Sequence, residues 1–202
     1  MNREKIIEKV SEFVGARRIH HIIGTEEECA RLAKIFSLSE EETEKLKTAA
    51  LLHDITKGFS VKEHREYIEK LGRELPTENL KSEKTLHAIT GAFMARELFP
   101  ELTDDLVFSA ILFHTTGKED MSLPQKLLYL ADYIEKTRTF EDCVYLRDYF
   151  YGRIEQEDKE AVLNDTLILS FDLTIKDLIK NGCLIHSDTV KARNFLVLEK
   201  KK

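Results

Sequence analysis

A histidine and an aspartate stand side by side where an apolar segment of this sequence ends. His53 and Asp54 follow the run Ala-Ala-Leu-Leu at 49–52, so a buried helix would deliver an imidazole and a carboxylate together where it leaves the core. Burying both without partners would cost roughly several kcal/mol, and a bound cation would remove that cost. Taken alone, the pair is more often explained by hydrogen bonds to neighbouring helix ends.

Four further polar groups repeat this placement. Asp132 and His114 each end an apolar run, and His21 and His87 lie among apolar neighbours. A single histidine on an apolar face is usually a core residue bonded to a carbonyl, but six such groups together favour a shared metal centre. Their mixed nitrogen and oxygen set suits iron(II), manganese or zinc, whereas magnesium favours oxygen alone.

The number of candidate ligands is enough for two metal ions. A carboxylate can place one oxygen on each of two cations, so Asp54 is the candidate bridge. The other five divide between the ions: His21, His53 and Asp132 on one, His87 and His114 on the other. Two metals roughly 3.5–4 Å apart can activate water and neutralise both the attacking and leaving oxygens of a phosphoryl transfer. The sequence shows no nucleophile-elbow motif and no Gly-rich phosphate loop that would favour another mechanism.

Helices must position these groups. Apolar residues recur every three or four positions along most of the chain, and sustained two-residue alternation is missing, so we predict an all-α, single-domain fold. Reciprocal capping patterns mark helix starts at Ser39, Ser60 and Ser122. We expect helices near residues 2–14, 19–36, 40–55, 60–70, 83–98, 103–114, 122–136, 142–154, 158–180 and 188–197.

Composition limits the domain count, the partner classes and the cellular compartment that we expect for this chain. The chain has 202 residues, 42% of them hydrophobic, which is enough for one full core, and a formal net charge of -6, which argues against a nucleic-acid duplex as partner. Its cysteines, Cys29, Cys143 and Cys183, are scattered and odd in number, which favours a reducing cytoplasm over a disulfide framework. No apolar run approaches the roughly 20 residues of a membrane span, so we expect no membrane partner.

Some charged segments are predicted to be plain surface. The acidic triplets at 26–28 and 40–42 are typical of solvated helix faces, and His64 stands on a charged helix.

Six sequence blocks, in order, resemble the YqeK family of HD-domain phosphohydrolases. The likeness spans roughly residues 17–195. The blocks are RRIHHIIG at 17–24, LLHDITK at 51–57, LHAITGA at 86–92, FHTTG at 113–117, YLADYIE at 129–135 and IHSDTVKARN at 185–194. Their joint occurrence is a more specific signal than the bare His-Asp doublet. Thr25, in place of a usual aliphatic residue, and Ser187, in place of a common proline, are mild departures.

The resemblance implies a helical HD-domain-like bundle and a bacterial di-iron enzyme that cleaves diadenosine tetraphosphate symmetrically into two ADP. We divide the chain into an N-terminal helix at 1–16 and the HD domain at 17–198, and a homodimer is possible. His21 rather than His20 becomes the first ligand, because Gly24 and Ala33 then fall where the family has a glycine and an alanine. The implied metal ligands are His21, His53, Asp54, His87, His114 and Asp132.

Candidates for handling the polyphosphate complete the prediction. Lys57 lies one helical turn beyond Asp54, so both are the expected catalytic residues, with Lys57 also contacting phosphate. Hydroxyl, backbone and cationic groups are further candidates: Thr115, Thr116, Gly117, Arg18, Arg138, His186 and Arg193. A lone cation near a helix end often serves only the helix dipole or water. The rival functions are another HD-type nucleotidase or phosphodiesterase, and a nucleotide-sensing module without catalysis.

Overall fold

The computed structural model describes residues 2–75, 79 and 83–200, except for the side chain of Glu83. Within them the chain forms ten helices and no strand, which confirms the all-α prediction. Each expected helix is present, with ends within three residues of those expected. In chain order they are α1 (Arg3–Ser11), α2 (Ala16–Ile35), α3 (Glu40–Leu52), α4 (Val61–Lys70), α5 (Glu83–Leu98), α6 (Asp105–Phe113), α7 (Leu123–Ile134), α8 (Glu141–Tyr151), α9 (Lys159–Lys180) and α10 (Ser187–Glu199).

Local sequence fixes many of the helix starts. The predicted capping boxes at Ser39, Ser60 and Ser122 are present at the beginnings of α3, α4 and α7. Asp104 and Asp158 cap α6 and α9 by accepting a backbone N–H bond, 2.9 Å in each case. These side chains satisfy N–H groups that a helix leaves unpaired in its first turn.

The core lies where α2, α3, α6 and α7 pack against one another. Helix α7 is buried along most of its length, with Leu127, Leu128, Leu130 and Ala131 fully covered. Burial on several sides requires an almost continuous apolar sequence, which α7 has. The candidate ligands lie in α2, α5 and α7 or directly after α3 and α6. Among the described residues, no helix has both the length and the apolarity that crossing a membrane requires.

The triplet at 26–28 corrects one surface prediction. Glu26 and Glu28 are each only 4% exposed, and Glu27 alone faces solvent. Arg3 of α1 forms an ion pair with Glu26 at 2.6 Å, and the Tyr151 hydroxyl donates to Glu28. Because α2 is covered by α1 on one side and approached by Tyr151 on another, the middle of the helix buries even its charged side chains. The triplet at 40–42 is exposed, as expected.

His64 was also expected at the surface, and that prediction is wrong. It is 1% exposed, because α4 packs against α5. Its Nδ1 lies 2.8 Å from the Thr90 hydroxyl, and its ring packs beside Phe59. Burial lowers the pKa of His64 to about 4, so it is a neutral, hydrogen-bonded core residue at pH 7.

Candidate metal centre

All six predicted ligand side chains meet at one point in the core. His21 lies in α2, His53 and Asp54 follow α3, and His87 lies in α5. His114 follows α6, and Asp132 lies in α7. Three overlapping triplets among them place their donor atoms within 4.8 Å of one another. Five of the six residues are buried, and the Asp132 side chain is 16% exposed. His20, the alternative first ligand, is exposed.

The Asp54 carboxylate lies between two groups of imidazoles. Its Oδ2 is 3.6 Å from His21 Nε2 and 3.5 Å from His53 Nε2. Its Oδ1 faces the other way, 3.3 Å from His87 Nε2 and 3.9 Å from His114 Nε2. This is the arrangement that a carboxylate shared by two cations needs.

Further contacts divide the centre in the same way. Asp132 Oδ1 lies 2.9 Å from His21 Nε2 and 3.6 Å from His53 Nε2, so it belongs with the first pair of imidazoles. The Nε2 atoms of His87 and His114 are 3.1 Å apart. Donor atoms of His53, His114 and Asp132 also lie within 4.8 Å of one another, so the two groups adjoin, and the division of the ligands between two ions stays a prediction.

Three of the histidines are oriented through their other ring nitrogen. The Nδ1 atoms of His53 and His114 each contact the carbonyl three residues earlier in the helix that precedes them, at 2.7 Å and 2.6 Å. His21 Nδ1 contacts Glu135 Oε1 at 3.0 Å. Donation from Nδ1–H leaves the lone pair on Nε2 and directs it toward the centre, as in protein metal sites.

The imidazoles fit a metal better than they fit each other. Among the described residues, the buried Nε2 atoms of His21 and His53 have no hydrogen-bond partner. With its proton on Nδ1, His21 presents an acceptor to the Asp132 oxygen, which also only accepts, so either a second ring proton or a bound cation must lie between them. Burial lowers the pKa of His21, but Asp132 and Glu135 outweigh burial and raise it, which shows the same preference for positive charge. The donor set therefore fits divalent cations.

The charge states also suit metal binding. Burial would raise the pKa of Asp54 and Asp132, but neighbouring positive groups, including Arg138 beside Asp132, hold both pKa values well below the usual range. Burial lowers the pKa of His114 to about 3 and also lowers that of His87. At pH 7 the centre therefore presents two carboxylates and at least two neutral imidazoles, which are the ligating forms.

Three predicted cations lie beside the ligands. Arg18 Nη1 is 2.8 Å from Asp54 Oδ2, and Arg138 Nη2 is 2.7 Å from Asp132 Oδ1. Lys57 Nζ is 3.9 Å from Asp54 Oδ1, and burial lowers the pKa of this lysine. Three positive side chains next to the candidate ligands make the mouth of the centre attractive to polyanions.

A cavity of about 600 Å³ opens beside the centre, with His114 and Asp132 in its wall. This volume is within the range of small-ligand sites, roughly 300–1,000 Å³. Its lining includes several of the predicted substrate contacts: Lys57, Thr115, Thr116, Arg138 and His186. Sequence reasoning missed the apolar rim, where Phe140 is 66% exposed and Leu184 46%. No pattern marks either residue, because the rim forms only when α8 and the α9–α10 loop come together.

Two predicted substrate contacts have other partners. The Gly117 N–H already donates to the Phe113 carbonyl at 2.9 Å, so its expected role as a phosphate donor is not supported. Arg193 Nε donates to Asp172 Oδ1 at 2.8 Å, and neither Gly117 nor Arg193 lines the cavity.

Gly117 instead has a packing role. Its φ is +64°, and a Cβ at this position would lie 2.7 Å from the Phe171 ring. We expect Gly117→Ala to lower the free energy of unfolding by about 2–4 kcal/mol, since backbone strain and overpacking add. Urea denaturation measures the change.

The matched control is Gly182→Ala. Gly182 has φ +63° but nothing within 4 Å of an added Cβ, so this variant should show only the backbone strain, about 1–2 kcal/mol. Equal losses in the two variants would contradict the packing role of Gly117.

Comparison with known proteins defines the class. The model of the HD domain family matches residues 18–137, which include the whole set of candidate ligands. The chain belongs to the HD domain family. A crystal structure of a predicted HD superfamily hydrolase involved in NAD metabolism from Clostridium acetobutylicum superimposes with a TM-score of 0.86, at 34% identity and with 98% of each chain covered.

Curated relatives extend along the full chain. A protein of Halalkalibacterium halodurans named bis(5'-nucleosyl)-tetraphosphatase, symmetrical, is 35% identical over 202 residues, 100% of each chain. A Bacillus subtilis protein of the same name is 31% identical over 199 residues, 98% of each chain.

Proposed function

We propose that this chain is a divalent-metal hydrolase that cleaves diadenosine tetraphosphate at the middle of its polyphosphate, giving two ADP. The full-length relatives are named for symmetrical cleavage of bis(5'-nucleosyl) tetraphosphates, and diadenosine tetraphosphate is one member of that class. The observation that carries the proposal is the placement of Asp54, which presents one carboxylate oxygen to each of two imidazole groups. A nucleotide-sensing module would need the cavity but not this doubled ligand set.

The ligands fit two cations. When bound, the cations would supply an activated water and neutralise negative charge on the reacting phosphates. The protein contributes the geometry: His21, His53 and Asp132 on one side of Asp54, and His87 with His114 on the other. Hydrogen bonds at Nδ1 hold His53 and His114 in place, so little reorganisation is needed when substrate arrives.

The cavity would take one nucleotide half of the substrate. Lys57 and Arg138 lie where the cavity meets the centre and are suited to the central phosphates, and the Thr115 hydroxyl offers a neutral group. The Thr116 hydroxyl already donates to the Gly117 carbonyl at 2.9 Å, so its expected role as a phosphate donor is not supported. The exposed Phe140 ring at the rim offers an apolar surface for a base. Arg18, bound to Asp54 on the other side, is placed for the departing half.

Product analysis tests the proposal. The full chain, loaded with iron under anaerobic conditions, should convert diadenosine tetraphosphate into ADP alone. In ¹⁸O-labelled water, half of the ADP should carry one label on its β-phosphate, because water attacks one central phosphorus. ATP plus AMP would contradict symmetrical cleavage. Tight nucleotide binding without any hydrolysis would favour the sensing module, and preference for a mononucleotide would favour the smaller-substrate alternative.

Several finer assignments belong to the same proposal. We take iron as the resident metal, with manganese and zinc as the alternatives that these ligands also accept. We place the enzyme in the bacterial cytoplasm, with dinucleoside polyphosphate or another nucleotide as its partner and no nucleic-acid duplex, and we leave the oligomeric state, with a homodimer as one option, open. The division into an N-terminal helix at 1–16 and an HD domain at 17–198 stays a prediction. Anaerobic metal analysis and light scattering of the purified chain test the metal and the dimer.

A further inference from the structure

A buried carboxylate outside the ligand set contacts the metal centre. Glu135 follows the last residue of α7, and its side chain is 0% exposed. Oε1 accepts bonds from His21 Nδ1 at 3.0 Å and from the Thr137 hydroxyl at 2.6 Å. Oε2 accepts the Thr137 backbone N–H at 2.7 Å. Three donors therefore hold the Glu135 carboxylate in place. Its contact with the candidate ligands is made through His21.

The turn that carries Glu135 is itself held by a side chain of α8. Arg147 donates to the carbonyl oxygens of Ile134, Glu135 and Arg138, at 2.6, 2.5 and 2.8 Å. Arg138, at the end of this turn, binds Asp132. The segment at 134–138 thus supports two members of the ligand set from behind, His21 through Glu135 and Asp132 through Arg138.

Gly24 leaves the space that this carboxylate occupies. It lies inside α2, one turn after His21, with no positive φ, so its backbone does not require glycine. A glycine inside a helix costs about 0.5–1 kcal/mol relative to alanine. A Cβ at Gly24 would lie 2.3 Å from Glu135 Oε2 and 3.1 Å from its Cδ, distances that would force the carboxylate to move. Position 24 therefore needs a glycine because the Glu135 carboxylate fills the space of a side chain, not because the helix backbone requires one.

We propose that Glu135 is a positioning residue for His21, and that Gly24 is required because any side chain there would displace the Glu135 carboxylate from the imidazole. Accepting the Nδ1 proton fixes the tautomer of His21, aims its Nε2 at Asp54 and Asp132, and makes that nitrogen a stronger donor. Glu135 touches neither Asp54 nor the cavity, so it acts only through the histidine. This inference rests on the metal centre of the proposed function.

The test measures metal binding rather than turnover. The full chain is stripped with a chelator and titrated with cobalt(II), whose visible absorption reports imidazole ligation at each site. Glu135→Ala should weaken binding at one of the two sites by roughly 10–100-fold, and Gly24→Ala should weaken the same site. Glu135→Gln, which keeps one acceptor for His21, should fall between wild type and Glu135→Ala.

The double variant separates positioning from simple damage to the fold. With the carboxylate gone, a methyl at position 24 has room, so Gly24→Ala should add little to the loss caused by Glu135→Ala. Gly15→Ala is the control, because it also changes a glycine of the α2 segment and an added Cβ there meets nothing within 4 Å. Its cobalt binding should equal that of wild type.

The outcomes separate this inference from the proposed function. Wild-type cobalt affinity in both single variants, or fully additive losses in the double variant, would overturn the role of Glu135. If Glu135→Ala does not fold, Gly24→Ala and Glu135→Gln still decide the question by their cobalt affinities. A wild-type chain that binds two cobalt ions but leaves diadenosine tetraphosphate intact would refute the proposed substrate and leave the inference standing.

Discussion

An Asp54→Ala variant should lose at least about 10³-fold in kcat/KM for diadenosine tetraphosphate and should retain no more than one metal per chain after desalting. The reason is geometric, since Asp54 presents one oxygen to each of the two imidazole groups. Its removal takes a ligand from each site and leaves Arg18 and Lys57 next to a centre with half its negative charge. Both the metal content per chain, measured by metal analysis, and the turnover rate should fall together.

Two companion variants make this result interpretable. Asp54→Asn keeps the size of the side chain but removes its charge, so it should fold as wild type and still lose metal. Asp105→Asn changes an aspartate whose side chain is 100% exposed, and it should keep full activity. An active, metal-loaded Asp54→Ala variant would refute the site assignment.

The fold was largely predictable because its helices are bounded by local signals. Capping residues such as Ser39 and Ser60 act within one turn of their own helix, so they can be recognised without knowing the tertiary structure. Helix ends were less exact: α3 ends at Leu52 rather than at residue 55, and beyond it the Ile55 N–H bonds the Leu52 carbonyl, three residues back rather than four.

The convergence of the six candidate ligands was predictable for a related reason. A histidine or aspartate at the end of an apolar run must be buried, and only a few kinds of partner stabilise it there. His64 and Glu26 were missed because their neighbours in sequence are charged, while their burial comes from other helices, α5 and α1. Glu135 was within a recognised sequence block, but its contact with His21 spans 114 positions, and no local pattern encodes it.

Lys57→Met should reduce kcat by about 10²–10³-fold while changing KM much less. The Lys57 ammonium lies 3.0 Å from His87 Nε2 and 3.9 Å from Asp54 Oδ1, and it also lines the cavity, so it is placed where charge accumulates on the phosphates during cleavage. Charge that develops in the transition state is stabilised more strongly than the charge of bound substrate, so the loss should appear in kcat. Methionine preserves most of the side-chain volume.

Metal retention distinguishes this role from that of Asp54. Lys57 carries no ligand atom, so Lys57→Met should keep its full metal content while turning over slowly. Lys126→Met is the matched control, because Lys126 is also partly buried, with its pKa lowered by burial, but bonds Asn164 and does not line the cavity. A Lys57→Met enzyme with wild-type kcat, or one that had lost its metals, would show that the ammonium does not act on the reacting phosphates.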